Sequence, residues 1–273
     1  MKIFLDTAEI DEIKTAVDAG ILDGVTTNPS LLKKAVDKRR EKGEQTDIVE
    51  YIKTILKTCN DRPVSLEVLE GNVEELSRQA MILWDLFHKH GNAVIKIPVN
   101  PSLAEGDGLN YEGVKAIRRL TDKGIPINTT VIMTPLQALL AAKAGAKYVS
   151  PFAGRIDDYL RSRAGIEAEK EAYYPKEGMH VKGELLHDDG IVSGVDLIRS
   201  IVQIFRNYGI ESEILAASLR NAQQVREVAE AGADIATMPF SVLEQLLKHP
   251  KTLEGMKKFY DDAPDEYKQI FKK

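Results

Sequence analysis

Short β-branched runs alternate with amphipathic helical patterns from one end of this chain to the other, and nothing else in the sequence constrains its fold as tightly. Eight segments read as strands: Lys2–Leu5, Gly24–Thr27, Val64–Glu67, Ala93–Pro98, Pro126–Thr130, Tyr148–Pro151, Glu213–Ala217 and Ile235–Met238. Between them, segments such as 72–90, 108–123, 135–144 and 194–208 repeat apolar residues at helical spacing. Gly20, Gly91, Gly124, Gly145, Gly209 and Gly232 stand at joints where a helix must stop before a strand begins. Eight strands in strict alternation with helices predict an α/β fold, a single (β/α)8 TIM barrel rather than an open doubly wound sheet. The length of 273 residues suits one such barrel, so residues 1–273 are expected to form one domain.

Two stretches exceed what a minimal barrel needs. One is Val36–Thr46; the other is the polar run from Asp157 to about Asp189, an insertion after the sixth strand. The second falls on the side where barrel active sites form, so it is either a lid or a surface decoration. Beyond the eighth helix, Leu253–Lys273 adds a helical tail broken at Pro264. Such a tail packs on its own barrel or reaches a neighbouring subunit.

Composition removes several functional classes. The formal net charge of -5 is mild and both signs are mixed, so neither nucleic acid nor an anionic membrane is an expected partner. The densest basic stretch, Lys33–Lys42, also holds Asp37 and Glu41 and reads as a solvated helix face. Cys59 stands alone and cannot form an internal disulfide, and no run is apolar enough for a signal peptide or a membrane span. A cytoplasmic protein is expected. GxGxxG and GxxxxGK[ST] are absent, which counts against dinucleotides and ATP. His88, His90, His180, His187 and His249 join no carboxylate cluster, so no metal site is expected.

In an α/β barrel, chemistry gathers at the C-terminal ends of the strands. Polar residues fall there repeatedly: Asp6, then Thr26, Thr27 and Asn28, Glu67, Lys96, Asn128 to Thr130, Ser150, and Ser218 with Arg220. Lys96 is the most informative, because Val94, Ile95, Ile97 and Pro98 surround it in a strand expected to be buried on both faces. Burial disfavours an ammonium ion and leaves an amine able to attack a carbonyl. The alternatives are a lysine that snorkels to water or one tied into a structural ion pair. Asp6 and Glu67 are the candidate acid–base groups, although Asp6 is also placed to cap the following helix. Arg155 and Arg220 follow the sixth and seventh strands and suit a phosphate, or else form surface salt bridges.

Four segments, GVTTNPSLL (Gly24–Leu32), VIKIPV (Val94–Val99), YVSPFAGRIDDY (Tyr148–Tyr159) and ILAASLRN (Ile214–Asn221), resemble the transaldolase family in order and spacing. The likeness runs from Met1 to about Pro250 and is weakest in Val36–Thr46 and Arg161–Leu186. It implies that Lys96 forms a Schiff base with a ketose phosphate and that Asp6 takes the proton of the C4 hydroxyl. Glu67 and Thr130 would hold a proton-shuttling water. Asn28, Asn128 and Ser150 would bind hydroxyls of a dihydroxyacetone unit beside Thr26, with Phe152 in the wall. Arg155, Ser218 and Arg220 would grip the phosphate. The implied reaction moves dihydroxyacetone from fructose 6-phosphate or sedoheptulose 7-phosphate to an aldose phosphate, without metal or organic cofactor, in the pentose phosphate pathway. The implied partners are small sugar phosphates and further copies of the same chain. The competing readings are an aldolase that releases free dihydroxyacetone and a non-catalytic sugar-phosphate-binding barrel. Glu67, Phe152 and Asn128 are of the transaldolase type, where the aldolases carry glutamine, tyrosine and an apolar residue.

Overall fold

The computed structural model describes every residue except Glu105, Asp107, Leu109 and Lys273. The start of the helical segment expected over 108–123 and the last residue of the expected tail therefore lie partly outside the described residues. Along the chain run β1 (Lys2–Asp6), α1 (Ile10–Asp18), β2 (Gly24–Thr26), α2 (Pro29–Glu41), α3 (Ile48–Thr58) and β3 (Val64–Glu67). There follow α4 (Val73–Phe87), β4 (Ala93–Pro98), α5 (Glu112–Thr121), β5 (Ile127–Ile132), α6 (Pro135–Lys143) and β6 (Tyr148–Pro151). After α7 (Ala153–Arg163) comes a small hairpin, β7 (His180–Val181) and β8 (Glu184–Leu185). The chain continues through α8 (Gly194–Tyr208), β9 (Glu213–Ala216), α9 (Ala222–Ala231), β10 (Ile235–Met238), α10 (Phe240–Gln245), α11 (Pro250–Asp262) and α12 (Asp265–Ile270).

Strands β1 to β6, β9 and β10 close into one parallel barrel, the seam being made by β1 against β10 from Lys2↔Ile235 to Leu5↔Met238. The expected (β/α)8 TIM barrel is thus the fold. Helices start where the sequence supplies an acceptor for their free N–H groups: Asn28, Asp47, Asn72, Ser193 and Asn221 each cap the helix that follows. Thr134 and Gln137 form a reciprocal capping box on α6. No described helix is long and apolar enough to cross a membrane.

The core has two parts. The larger packs strand faces such as Leu5, Val25, Leu66, Ile95, Ile97 and Ile127 against the helices. The smaller, Phe4, Val94, Tyr148, Leu215, Ala217 and Ile235, fills the barrel lumen, with Phe4 and Tyr148 meeting edge to face at 6.2 Å. Side chains two residues apart on a strand share a face. Two residues on from Phe4, Val94, Tyr148 and Ile235 stand Asp6, Lys96, Ser150 and Thr237, a polar layer directly above the plug, whereas the same step from Leu215 reaches Ala217, itself in the plug.

Two expected boundaries are corrected. The insertion after β6 does not begin at Asp157, because α7 runs through Arg163; the irregular stretch lies between α7 and α8. Asp157 and Arg161 are buried within that helix, so its inward face is partly charged and its apolar period is hidden in the sequence. Of the stretch Val36–Thr46, the part up to Glu41 belongs to α2, so only the remainder exceeds the barrel's regular elements.

Helix α8 begins against the start of α7. A Cβ on Gly194 would lie 2.1 Å from the Ala153 carbonyl oxygen, so the two backbones meet where only glycine fits. Gly194→Ala should lower stability by about 1–3 kcal/mol, read from the urea midpoint. Gly255→Ala, mid-helix in α11 with nothing near its added Cβ, should raise it by about 0.5–1 kcal/mol.

Candidate active site

A cavity of about 580 Å³ opens at the C-terminal end of the barrel. Its lining includes Asp6, Thr26, Asn28, Glu67, Lys96, Ser150, Phe152, Arg155, Ser218 and Arg220. Ten residues singled out in the sequence, drawn from six different strand ends, therefore face one space. Asn128 and Thr130 are fully buried and stand behind this lining.

Strand register explains the central pair. Glu67 on β3 lies directly opposite Lys96 on β4, and adjacent strands are about 4.8 Å apart. The Lys96 Nζ donates to Glu67 Oε2 at 3.0 Å and to the Thr27 carbonyl at 3.3 Å. Lys96 is 5% exposed, so it does not snorkel. It is ion-paired, as one alternative reading foresaw, but with a carboxylate that also lines the cavity. A proton leaving the amine thus has an acceptor at hydrogen-bond distance.

Asp6 is not a helix cap. The cap position of α1 is Glu9, which makes no side-chain capping bond, and Asp6 instead accepts from the Thr26 hydroxyl at 2.7 Å. The register Asp6↔Thr26 sets the two side by side. Burial pushes the Asp6 carboxyl above its ordinary range, while the Lys96 charge, the Thr26 hydrogen bond and the Lys170 charge pull it back down. A carboxylate held upward in this way is a better proton acceptor than a solvated one.

A second set of polar contacts lies deeper. Asn128 donates to Ser65 Oγ at 3.0 Å and accepts from Ser150 Oγ at 2.7 Å, which aims Ser150 from behind. The Thr130 hydroxyl, like that of Thr129, is buried without a protein partner among the described residues. Asn28 accepts from the Leu31 N–H at 3.0 Å as the cap of α2 while lining the cavity.

At the rim, Arg220 pairs with Asp158 at 2.6 Å, whereas Arg155 forms no ion pair among the described residues. Ser218 and Val131 hold left-handed backbone at φ 59°, a strained state for non-glycine residues that costs about 1–3 kcal/mol each. Both line the cavity, and Val131 stands where the β5–β6 register shifts between Thr129 and Ile132. Among the described residues, no three His, Cys, Asp or Glu side chains are grouped to hold a metal ion.

A family model described as Transaldolase/Fructose-6-phosphate aldolase matches residues 3–273. The chain belongs to this enzyme family. Probable transaldolases of Hydrogenobaculum sp. (strain Y04AAS1), Chlorobium phaeobacteroides (strain BS1) and Thermoplasma volcanium are 42%, 43% and 43% identical to it. These matches cover 96% of this chain and 96%, 97% and 95% of the relatives. Among solved structures, a thiamine phosphate pyrophosphorylase from Pyrococcus furiosus has a TM-score of 0.47 at 15% identity, covering 87% of this chain and 85% of its own.

Sequence reasoning overlooked several residues in and around this cavity. The Thr237 hydroxyl lies 2.7 Å from that of Thr26, and the strand-end rule applied to the last strand would have found it. Ser65 is the second residue of β3 and supports Asn128 from behind, so that rule does not reach it. Lys170 and Glu171 come from the insertion, where no periodicity marks which residue turns inward.

Asp157 is buried behind the rim, accepting from the Gly194 N–H at 2.7 Å and from Gln224 Nε2 at 2.8 Å. Gln224 in turn accepts from the Arg220 N–H at 2.8 Å. Burial pushes the Asp157 carboxyl up to about 7, against the Gly194 hydrogen bond and the Arg161 charge. The folded protein then keeps a proton that the unfolded chain releases near pH 4, so this group's contribution to stability falls as pH rises from about 4 through 7. Asp157→Asn removes that titration. Between pH 5 and pH 8 its stability should shift in its favour relative to the parent by about 2 kcal/mol, measured by urea unfolding at both pH values.

Proposed function

We propose that this enzyme is a transaldolase, transferring a dihydroxyacetone unit from a ketose phosphate to an aldose phosphate through a Schiff base on Lys96. The observation that carries the reading is the buried Lys96 amine, 3.0 Å from the Glu67 carboxylate, at the floor of a cavity rimmed by Arg155 and Arg220. Lys96 attacks the C2 carbonyl of fructose 6-phosphate or sedoheptulose 7-phosphate. Glu67, with Thr130, relays protons through water as the carbinolamine loses hydroxide and becomes the iminium. Asp6 then takes the C4 hydroxyl proton. The C3–C4 bond breaks, its electron pair enters the iminium, and the aldose phosphate departs.

The enamine left on Lys96 is held through its hydroxyls by Asn28 and Ser150, with Asn128 fixing Ser150. It adds to the carbonyl carbon of the incoming aldose, Asp6 returns the proton, and hydrolysis frees Lys96. Phe152 in the wall presents no hydroxyl to aim a water at the enamine, and Glu67 and Asn128 are likewise of the transaldolase type. These three residues favour transfer over release of free dihydroxyacetone. Arg155, Ser218 and Arg220 bind the phosphate by charge-assisted hydrogen bonds. The cycle as written uses no metal or organic cofactor.

The reading carries with it a single-domain, cytoplasmic enzyme of the pentose phosphate pathway that self-associates. Phe259, Tyr260 and Phe271 are exposed on the C-terminal helices, which supports contact with another copy. The Cys59 thiol, pushed up to about 12 by burial, is suited to packing rather than chemistry.

The test is release of glyceraldehyde 3-phosphate from fructose 6-phosphate, with and without erythrose 4-phosphate. Release should depend on the acceptor, and Lys96→Met should abolish both turnover and the adduct trapped by borohydride while retaining the fold. Sustained release without acceptor would make the enzyme an aldolase. A second expectation concerns pH. The Thr26 hydroxyl stabilises ionised Asp6, so Thr26→Val should raise the Asp6 carboxyl further. The acid limb of kcat/KM should therefore move to higher pH; an unmoved limb would remove Asp6 as the base.

A further inference from the structure

The irregular stretch between α7 and α8 is unnecessary for closing the barrel, yet its middle is held to the rim at many points. Arg161 Nη2 donates to the carbonyls of Ala172 and Tyr173, at 2.9 Å each, and its guanidinium lies 5.1 Å from the Tyr174 ring centre. The Tyr173 hydroxyl donates to Glu227 Oε1 at 2.7 Å, and Asn221 Nδ2 donates to the Glu171 carbonyl at 3.1 Å. Lys176 pairs with Glu230 at 3.4 Å, and Ser193 Oγ donates to the Lys176 carbonyl at 2.8 Å. Arg161 and Glu227 are buried, and buried charges are tolerated only where such partners compensate them. The segment is therefore a strap fixed in one position across α7 and along α9.

What the strap delivers is Lys170, the residue just before its first anchored position. Lys170 lines the cavity with Arg155, Ser218 and Arg220, and it makes no ion pair among the described residues. It shares that lining with Asp6 at the end of β1. A phosphate ester carries about 1.5 to 2 negative charges near neutral pH. Arg220 is shared with Asp158 at 2.6 Å, so Arg155 and a partly neutralised Arg220 leave that charge incompletely matched.

We propose that Lys170 is a third cation for the substrate's phosphate, and that the strap carrying it makes the enzyme selective for phosphorylated over neutral aldoses. This rests on the transaldolase reading above for the identity of the acceptor. In Lys170→Gln, kcat/KM for erythrose 4-phosphate should fall about fivefold to tenfold, with unphosphorylated glyceraldehyde unaffected as acceptor. Lys170→Arg should restore most of the loss. An equal fall with both acceptors would mean that the strap acts by packing alone, and no fall with either would mean that Lys170 does not reach the phosphate; both overturn the proposal. Should the parent protein form no borohydride-trappable adduct, the Schiff-base reading is lost, and calorimetric titration with inorganic phosphate decides the role of Lys170 separately. A Kd raised about fivefold in Lys170→Gln supports it, and an unchanged Kd overturns it.

Discussion

A lysine and a glutamate held side by side inside a barrel, Lys96 and Glu67, are the constraint around which the rest is arranged. Two charges removed from water are tolerable only when geometry and further hydrogen bonds offset the desolvation. Parallel pairing of β3 with β4 supplies the geometry, and the Thr27 carbonyl supplies a further acceptor. Beneath them the apolar plug of Phe4, Val94, Tyr148, Leu215 and Ile235 closes the lumen. Above them lies the cavity. The barrel is in this sense one lumen divided by the two-residue period of its strands, with an apolar plug below and a polar-lined cavity above.

The rim is built differently from the floor. Floor residues are placed by strand register, which leaves little freedom: Asp6 beside Thr26, Glu67 beside Lys96, Lys96 beside Asn128. Rim residues are placed by loops and helix starts, and there the chain uses side-chain networks to remove the freedom that register would otherwise take away. Asp157, Gln224 and the Arg220 N–H form one such chain, and Arg161 with the strap carbonyls forms another. Gly154 permits the first, since a Cβ there would come within 2.2 Å of the Ser218 carbonyl oxygen and 2.5 Å of Arg220 Nε. Two of the residues with left-handed backbone, Val131 and Ser218, lie in the same zone.

Legibility in the sequence follows that division. The strands could be read to within a residue or two because each is a short apolar run bounded by turn residues, and the strand-end rule found most of the floor without any knowledge of three-dimensional contacts. It was blind to the surroundings of each residue. Asp6 had the right spacing for a helix cap, and only the packed structure turns it inward to Thr26. Asn128 looked equivalent to Ser150, yet it stands one layer behind and spends both its polar ends on Ser65 and Ser150. In the sequence the insertion reads as beginning at Asp157, inside α7, because Asp157 and Arg161, buried in a polar network, carry no hydrophobic signal.

By itself the sequence determined the barrel, its order of elements and the identity of the chemical groups at the strand ends, because alternation and two-residue periodicity are local properties of a chain. Tertiary structure alone decided which of those groups touch. The Lys96–Glu67 pair depends on register between strands 29 residues apart in sequence, and the placement of Lys170 depends on contacts from α7 and α9 to an aperiodic strap. Contacts of that kind are properties of the closed barrel, in which residues distant along the chain share one small volume.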